Sequence, residues 1–400
     1  MAWPRDQRLH YRAPMSDLSG SLDSAREHTS TSMRKPQSFR SVLIFGGAGF
    51  IGSNWARYLL ENTDAKVHIF DNLSRNGIRH NLEELQRITG RSGRLQITVG
   101  DVRDPGMVQR AVRAATEVYH FAAQVAVTTS VADPRIDFDV NVSGTFNILE
   151  AVRKSGHRPF LLFTSTNKVY GELNSHRLLA NATRYSYADI RGIAENQPLD
   201  FHSPYGCSKG AADQYVHDYA RIYGIPTVVF RMSCIAGPRQ FGTEDQGWVA
   251  HFLYSALQAS PIVIYGDGRQ IRDVLCVEDL LRAFDAVRVN RANTAGQIYN
   301  VGGGLENTVS LLELMDEIKS LTGRKLQYET CPMRPGDQLV YVTDYAKLRR
   351  DTGWHPEISL RQTLEKMYAW WKRNRELFAA PAVAEPVPGP ALQQVPGVAA

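Results

Sequence analysis

An apolar run, Ser41-Val42-Leu43-Ile44-Phe45, passes directly into Gly46-Gly47-Ala48-Gly49-Phe50-Ile51-Gly52 and then into a helical segment, Ser53 to Asn62. No other feature of this 400-residue chain narrows the choice of fold as far. Glycines spaced G-x-x-G-x-x-G between a strand and a helix allow a sharp turn, a close approach of backbone to a pyrophosphate, and tight packing of helix on strand. The helix N-terminus then faces the phosphate charge. The motif alone is weak, but both flanks are correct here, and a second apolar run, Lys66 to Phe70, ends in Asp71, nineteen residues past Gly52.

A carboxylate at that point can accept hydrogen bonds from both hydroxyls of an adenosine ribose and would repel a 2′-phosphate, so the expected cofactor is NAD rather than NADP. Phe50, Ile51 and Asn72 flank these groups. The third run, Leu95 to Val99, leads to Asp101-Val102, a carboxylate and an apolar side chain for an adenine ring. The fourth, Glu117 to Phe121, leads to Ala122-Ala123-Gln124, small enough for backbone to lie along a cofactor. Ligands of open α/β sheets sit beyond the carboxyl ends of the strands, which gives these ordinary strand-end residues their value.

With 159–164 and 226–230, six short β-branched runs alternate with helical segments over the first 230 residues. Nearly continuous apolarity within each run suits strands buried on both faces. The expected fold is α/β: a Rossmann-type doubly wound parallel sheet over 38–230, with a smaller mixed α/β substrate-binding lobe over 231–378. Helices are expected at 309–322 and near 360–377. Residues 1–37, rich in Ser, Arg, Asp and Pro without periodicity, read as a disordered extension, with Met33 as the favoured true start. Residues 379–400, with five prolines from 381 onward, read as a flexible tail.

Composition excludes several classes. The net charge is +5, but seven basic and four acidic residues within 1–40 supply three of those charges, which leaves too little for a nucleic-acid surface. Cys207, Cys234, Cys276 and Cys331 are far apart and form no metal-ligand spacing, so neither a disulfide framework nor a metal site is expected. No apolar run is long enough to span a bilayer and no charged-then-apolar leader is present, so the expected location is the cytoplasm.

The chemistry lies in "SPYGCSKGAADQYVHDYA", where Tyr205 and Lys209 stand four apart on one helix face. A phenol with an unperturbed pKa of about 10 is a poor base, but a nearby ammonium and a cationic nicotinamide favour the phenolate. Thr166, ending the fifth run in "FTSTNKVYG", brings a hydroxyl to the same crevice to orient a substrate oxygen.

Through these residues and Asn141 in "NVSGT", the chain from 41 to about 375 resembles the extended short-chain dehydrogenase/reductase superfamily, whose members bind NAD(P) and remodel nucleotide-activated sugars. The resemblance implies that Tyr205 is the acid/base, that Lys209 holds the nicotinamide ribose and lowers the tyrosine pKa, and that Asn141 belongs to the cofactor site. Thr166 stands where many relatives carry serine. Within the superfamily, "TSTNKVYG", the 203–235 block and "GPRQFGTEDQGWVAHF" resemble the CDP-paratose 2-epimerases. One departure is Ala236-Gly237-Pro238-Arg239, which lacks the tyrosine common before this arginine.

Asn167 and Lys168 bear on the reaction type. The related 4,6-dehydratases carry two carboxyl residues there, because elimination of water needs a general acid and a base. An amide and an ammonium cannot share that work, so oxidation with return of hydride to the opposite face is expected. The resemblance places Arg272 and Arg334 on the diphosphate of a nucleotide-sugar substrate, with Asn167, Lys168 and Arg239 lining the sugar, and fork-shaped guanidinium groups suit phosphate. Asp273 is expected to anchor the loop or to fix Arg272, and Gly242 to Gly247 to line the pocket. The expected function is epimerisation of a CDP-linked deoxysugar at C2. Rivals are an epimerase acting on a UDP- or GDP-sugar, or at C4, a small-carbonyl dehydrogenase, and a non-catalytic NAD-binding protein. The superfamily also implies a homo-oligomer built through the helices after Asn141 and Tyr205.

Overall fold

The computed structural model describes residues 40–378 other than 76, 91 and 335. The extension expected over 1–37 and the tail expected over 379–400 lie outside the described residues. Seven parallel strands form the main sheet: β1 (Ser41–Phe45), β2 (Lys66–Asp71), β3 (Leu95–Val99), β4 (Glu117–His120), β5 (Phe160–Thr166), β6 (Thr227–Met232) and β7 (Gln297–Val301). Their spatial order is β7-β6-β5-β4-β1-β2-β3, so the chain reverses direction across the sheet between β1 and β4. A ligand crevice opens at such a reversal.

Five of the six apolar runs are covered on both faces, while Leu95–Val99 forms an edge strand with Gln96 and Val99 exposed. On one face Tyr119 and Phe230 of the strands pack against Trp55 of the helix Phe50–Asn62 and Phe284 of the helix Val277–Val289. On the other, Leu43, Phe45, Phe163 and Val229 meet Ile148, Ala212 and Val216 from the helices Gly144–Lys154 and Ser203–Tyr223. The boundary expected at residue 230 is not a clean cut. Gln297–Val301, expected within the mixed lobe, pairs with β6 as the seventh strand, and Val277–Val289 covers the sheet with Phe284 fully buried. Pairing of strands so far apart in the chain follows from edge position and burial, which no local pattern reports.

The remaining lobe has its own core beneath the helices Trp248–Gln258, Leu311–Thr322 and Leu360–Arg373. The last two start within two residues of the expected positions, where Ser310 with Glu313, and Ser359 with Gln362, form reciprocal capping boxes. A small sheet runs through Cys234–Ala236, Ile271–Cys276, Thr308–Ser310 and Val340–Tyr341. The segment between β5 and the Tyr205 helix folds a hairpin, Leu178–Ala180 with Tyr185–Tyr187, tied to this lobe by Arg184 on Glu313.

Candidate active site

Gly46 ends β1 with φ of 76°, a left-handed conformation that favours glycine, and a Cβ there would lie 2.6 Å from the backbone nitrogen of Ala122. Gly52 is held for a different reason: its Cβ would lie 2.2 Å from the carbonyl oxygen of Gly46. The helix Phe50–Asn62 begins at Gly49 with no side-chain cap and no acidic residue in its first turn, so its N–H groups face the crevice uncompensated. A cradle of this kind fits a pyrophosphate. Asp71 stands beside it, accepting from Ala48 N at 3.0 Å through Oδ2 and from Leu73 N at 2.9 Å through Oδ1. Burial pushes its carboxyl up while these N–H groups oppose the shift, and each oxygen keeps a lone pair for a ribose hydroxyl.

Other cofactor candidates have different duties. Asn72 donates to Asp101 Oδ2 at 3.1 Å, and Asp101 is further engaged by both Nε and Nη2 of Arg103, which holds its carboxyl well below the usual range. Val102 was expected to offer surface to an adenine. Its side chain instead packs against Gly144 in the core, and the residue is 6% exposed. Asn141 was expected at the cofactor but is spent on positioning. Its side chain accepts from Gln124 N and donates to Gln124 O, both at 3.0 Å, and its amide also meets Ser208 Oγ at 3.0 Å and Asp137 Oδ1 at 3.1 Å. Asn141 thereby joins the Ala122-Ala123-Gln124 loop to the Tyr205 helix.

Thr166 ends β5, and Tyr205 lies in the first turn of the helix Ser203–Tyr223, whose Pro204 suits a helix start. The Thr166 hydroxyl accepts from Lys168 N at 3.2 Å, lies 3.3 Å from Asn167 Oδ1, and favours the ionised form of the Tyr205 phenol. Burial pushes that phenol up to about 12, opposed by Thr166 and by the charge of Arg75, while the charge of Asp137 adds to the rise. Arg75, in the loop after β2 where it also meets Gln246, is thus a cation acting on Tyr205 beyond the expected Lys209. Lys209 Nζ donates to Thr164 O at 2.7 Å and lies 4.1 Å from the Phe163 ring centre. Burial pulls Lys209 down to about 7, with Asp213 and then Asp137 resisting.

At the substrate end, Lys168 Nζ is 2.8 Å from Asp337 Oδ1, and Arg272 Nη2 is 2.7 Å from the same oxygen. Burial opposes ionisation of Asp337, but the two cations outweigh it and hold the carboxyl well below its usual range. Two cations around one carboxylate leave a positive surplus beside the crevice. Asn167 donates to Gln338 Oε1 at 3.0 Å. Arg334 lies over the Tyr265 ring, 3.9 Å from its centre, and is met by Glu244 at 2.9 Å and Asp245 at 3.3 Å from the 242–247 loop. Asp273 does anchor its loop, accepting from Gly304 N at 3.0 Å and from Ser233, but Arg272 pairs with Asp337 instead. Arg239, expected on the sugar, is bound in a fork to both carboxylate oxygens of Glu84 at 2.7 Å, with Nη1 3.3 Å from Asn54. Its charge is balanced there, and it joins the segment after β6 to the helices Phe50–Asn62 and Ile78–Thr89.

Arg75, Asp137, Asp337 and Gln338 were missed from the sequence. Asp337 lies three residues after Arg334 in "RPGDQ", a segment that the sequence does single out, but its pairing with Lys168, 169 residues away, leaves no local trace. Asp137 stands four residues before Asn141, a helical spacing that could have flagged it.

A family model described as GDP-mannose 4,6 dehydratase matches residues 43–367. The chain is 42% identical over 337 residues to the CDP-paratose 2-epimerase of Salmonella typhi, covering 82% of this chain and 98% of the relative. Among solved structures, the UDP-glucose 4-epimerase of Thermus thermophilus in complex with NAD superposes with a TM-score of 0.69 at 31% identity, covering 83% of this chain and 99% of that one. DesIV, a dTDP-glucose 4,6-dehydratase of Streptomyces venezuelae with NAD bound, gives 0.72 at 29% identity, covering 84% and 98%. These matches span both halves of the fold and the crevice between β1 and β4, and the chain belongs to the GDP-mannose 4,6-dehydratase family of NAD-dependent sugar-nucleotide epimerases and dehydratases.

Proposed function

We propose that this chain is an NAD-dependent nucleotide-sugar epimerase that inverts C2 of a CDP-linked deoxysugar, taking CDP-paratose to CDP-tyvelose. The observation that carries the choice of epimerase over dehydratase is the pair after Thr166. Asn167 and Lys168 are engaged by Gln338 and Asp337, so no acid and base stand ready to expel water. The CDP-sugar and the C2 position rest on the relative at 42% identity.

Gly46, Gly49, Gly52 and Asp71 hold NAD, with Phe50 and Ile51 at the helix start and Lys209 at the nicotinamide ribose. When bound, this cofactor supplies a positive ring and a hydride acceptor that can give the hydride back. Tyr205 takes the proton of the sugar hydroxyl while Thr166 orients that oxygen. The resulting ketosugar turns over in the pocket, and Tyr205 returns the proton once the opposite face is reduced. Lys168, Arg272 and Arg334 hold the sugar and the diphosphate against release of the ketosugar, their carboxylate partners being exchanged for phosphate oxygens.

A panel of CDP-, UDP-, GDP- and dTDP-sugars, followed by product NMR, tests the reading. The expected product is a C2 epimer of a CDP-sugar, with no absorbance change at the reduced-nicotinamide band and no deuterium at C2 in heavy water. A preference for a UDP-sugar sinks the CDP assignment, and a 4-keto-6-deoxy product sinks the epimerase. We further assign the face bearing Phe146 and Tyr215 to contact with a second copy. Their rings meet at 6.0 Å between centres, yet both residues stay nearly half exposed, on the two helices expected to build a dimer. Among the described residues no helix is long and apolar enough to cross a membrane, and a cytoplasmic location fits a nucleotide-sugar substrate.

A further inference from the structure

Asp137 carries a charge that the reaction above does not use. It lies in the short helix Pro134–Phe138, is 1% exposed, and has no ion pair within 4.0 Å among the described residues. Its Oδ1 accepts from the Asn141 amide at 3.1 Å, while Oδ2 is buried without a hydrogen-bond partner. A buried carboxylate in this condition is costly unless a charge nearby repays it. Burial pushes its carboxyl up, while the Ser208 hydroxyl and the charge of Lys209 oppose the rise, and the Asn141 amide joins Asp137 to Ser208, the residue before that lysine.

Lys209 has few other sources of compensation. Its ammonium donates to Thr164 O and otherwise faces the ring of Phe163. Asp213, on its own helix, is held in a fork by buried Arg231, with Nε to Oδ2 and Nη2 to Oδ1 both at 2.9 Å, so much of its charge is already balanced. His120, facing Lys209 from β4, is kept neutral by burial and by the lysine charge, with Nε2 3.0 Å from Thr145. Tyr205 precedes Lys209 by one helical turn, and Arg75 reaches the tyrosine from the loop after β2. Among the described residues, Asp213 and Asp137 are the carboxylates that favour the Lys209 ammonium, and of the two Asp137 has no ion pair.

We propose that Asp137 is a positioning residue for the tyrosine–lysine pair: its buried carboxylate, held by Asn141, is the counter-charge that keeps Lys209 an ammonium. It acts through space and touches neither substrate nor cofactor. The consequence for turnover rests on the epimerase reading, whereas the charge coupling itself does not.

Two signs follow. Removing the Asp137 charge makes Lys209 lose its proton at lower pH, and it eases ionisation of Tyr205 because the same charge opposes the phenolate, so both limbs of kcat/KM move to lower pH. The active window slides toward acid as a whole. A purely structural role for Asp137 would lower the profile without moving it.

The test is Asp137→Asn in the full chain, which keeps an acceptor for Asn141 and removes the charge. With ¹³C-labelled lysine, the Lys209 signal, assigned by its loss in Lys209→Met, is titrated without ligands. The expected midpoint is near 7 in the unsubstituted protein, and lower by about one unit in the variant, a tenfold change in the amine-to-ammonium ratio. An unchanged midpoint overturns the proposal, and this measurement needs no substrate. If the midpoint moves but no nucleotide sugar is turned over, the epimerase reading fails and the coupling stands. Should Asp137→Asn not fold, infrared spectra of the unsubstituted protein with ¹³C-aspartate decide. An ionised Asp137 throughout the titration of Lys209 supports the proposal, and a buried protonated carboxyl persisting through it overturns it.

Discussion

Tyr205 and Lys209 meet the crevice with opposite electrostatic problems. Burial resists the phenolate at one and the ammonium at the other, raising the first to about 12 and lowering the second to about 7. Tyr205→Phe is expected to reduce kcat by roughly 10²- to 10⁴-fold, the usual worth of a general acid/base, while NAD affinity measured by calorimetry stays within a few-fold. Arg75 pulls the phenol down, so Arg75→Gln is expected to raise it and to delay formation of the tyrosinate, read by ultraviolet difference titration against Tyr205→Phe; an unmoved titration would show that this charge does not act on Tyr205. Asp337 is the matching case on the substrate side. Its depressed carboxyl contributes stability that is complete above the unfolded carboxyl range near pH 4 and is lost as pH falls toward the folded value. Asp337→Asn is expected to cost about 1–3 kcal/mol at pH 7, read by urea denaturation, and the difference from the unsubstituted protein should narrow only in strong acid. None of these pairings is visible in the sequence, where Arg75 and Asp337 are ordinary loop residues, because each depends on partners far along the chain.

At the scale of elements, the glycine loop and the Tyr205 helix hold the site by different means. The loop depends on absent side chains: a Cβ at Gly52 would lie 2.2 Å from Gly46 O, so Gly52→Ala must push the helix start away from the strand. The expected cost is about 1–3 kcal/mol of stability, as for other overpacking substitutions, with a loss of NAD binding larger than the loss of stability explains. Binding calorimetry beside thermal denaturation separates the two. The Tyr205 helix depends on buried polar groups. Arg231 on β6 holds Asp213 in a fork and also donates to Tyr170 at 3.0 Å. Arg231→Met is expected to destabilise the protein by about 3–5 kcal/mol, because it strands a buried carboxylate, and a change below about 1 kcal/mol would mean that Asp213 is not ionised. The glycine loop was legible because its requirement is local. The Arg231–Asp213 pair was not, since both residues read as ordinary members of a strand and a helix.

For the whole molecule, the seven-stranded sheet and the mixed lobe are joined by returning chain rather than by a linker. Gln297–Val301 completes the sheet, and Arg239 reaches back to Glu84 and Asn54. Cutting the chain near residue 230 is therefore expected to leave β6 with an open edge, and the 38–230 piece should aggregate rather than bind NAD, as light scattering would show. A chain shortened to 33–380 should retain full turnover. Tyr215→Glu should convert a particle of twice the chain mass into one of single mass if the assigned face joins two copies.

The sequence by itself determined the Rossmann-type sheet and the NAD-class loop, and it offered Thr166, Tyr205 and Lys209 as candidates, because glycine spacing, continuous apolar runs and an i, i+4 pair are written within a few residues of one another. Tertiary structure decided what each charge does. Arg239 is spent on Glu84, Asn141 on the Gln124 backbone, and Lys168 and Arg272 on one carboxylate. The seventh strand was likewise assigned by where the chain returns. A charge in a protein takes its role from its nearest opposite charge and from the water it has lost, and both are set by residues distant in sequence.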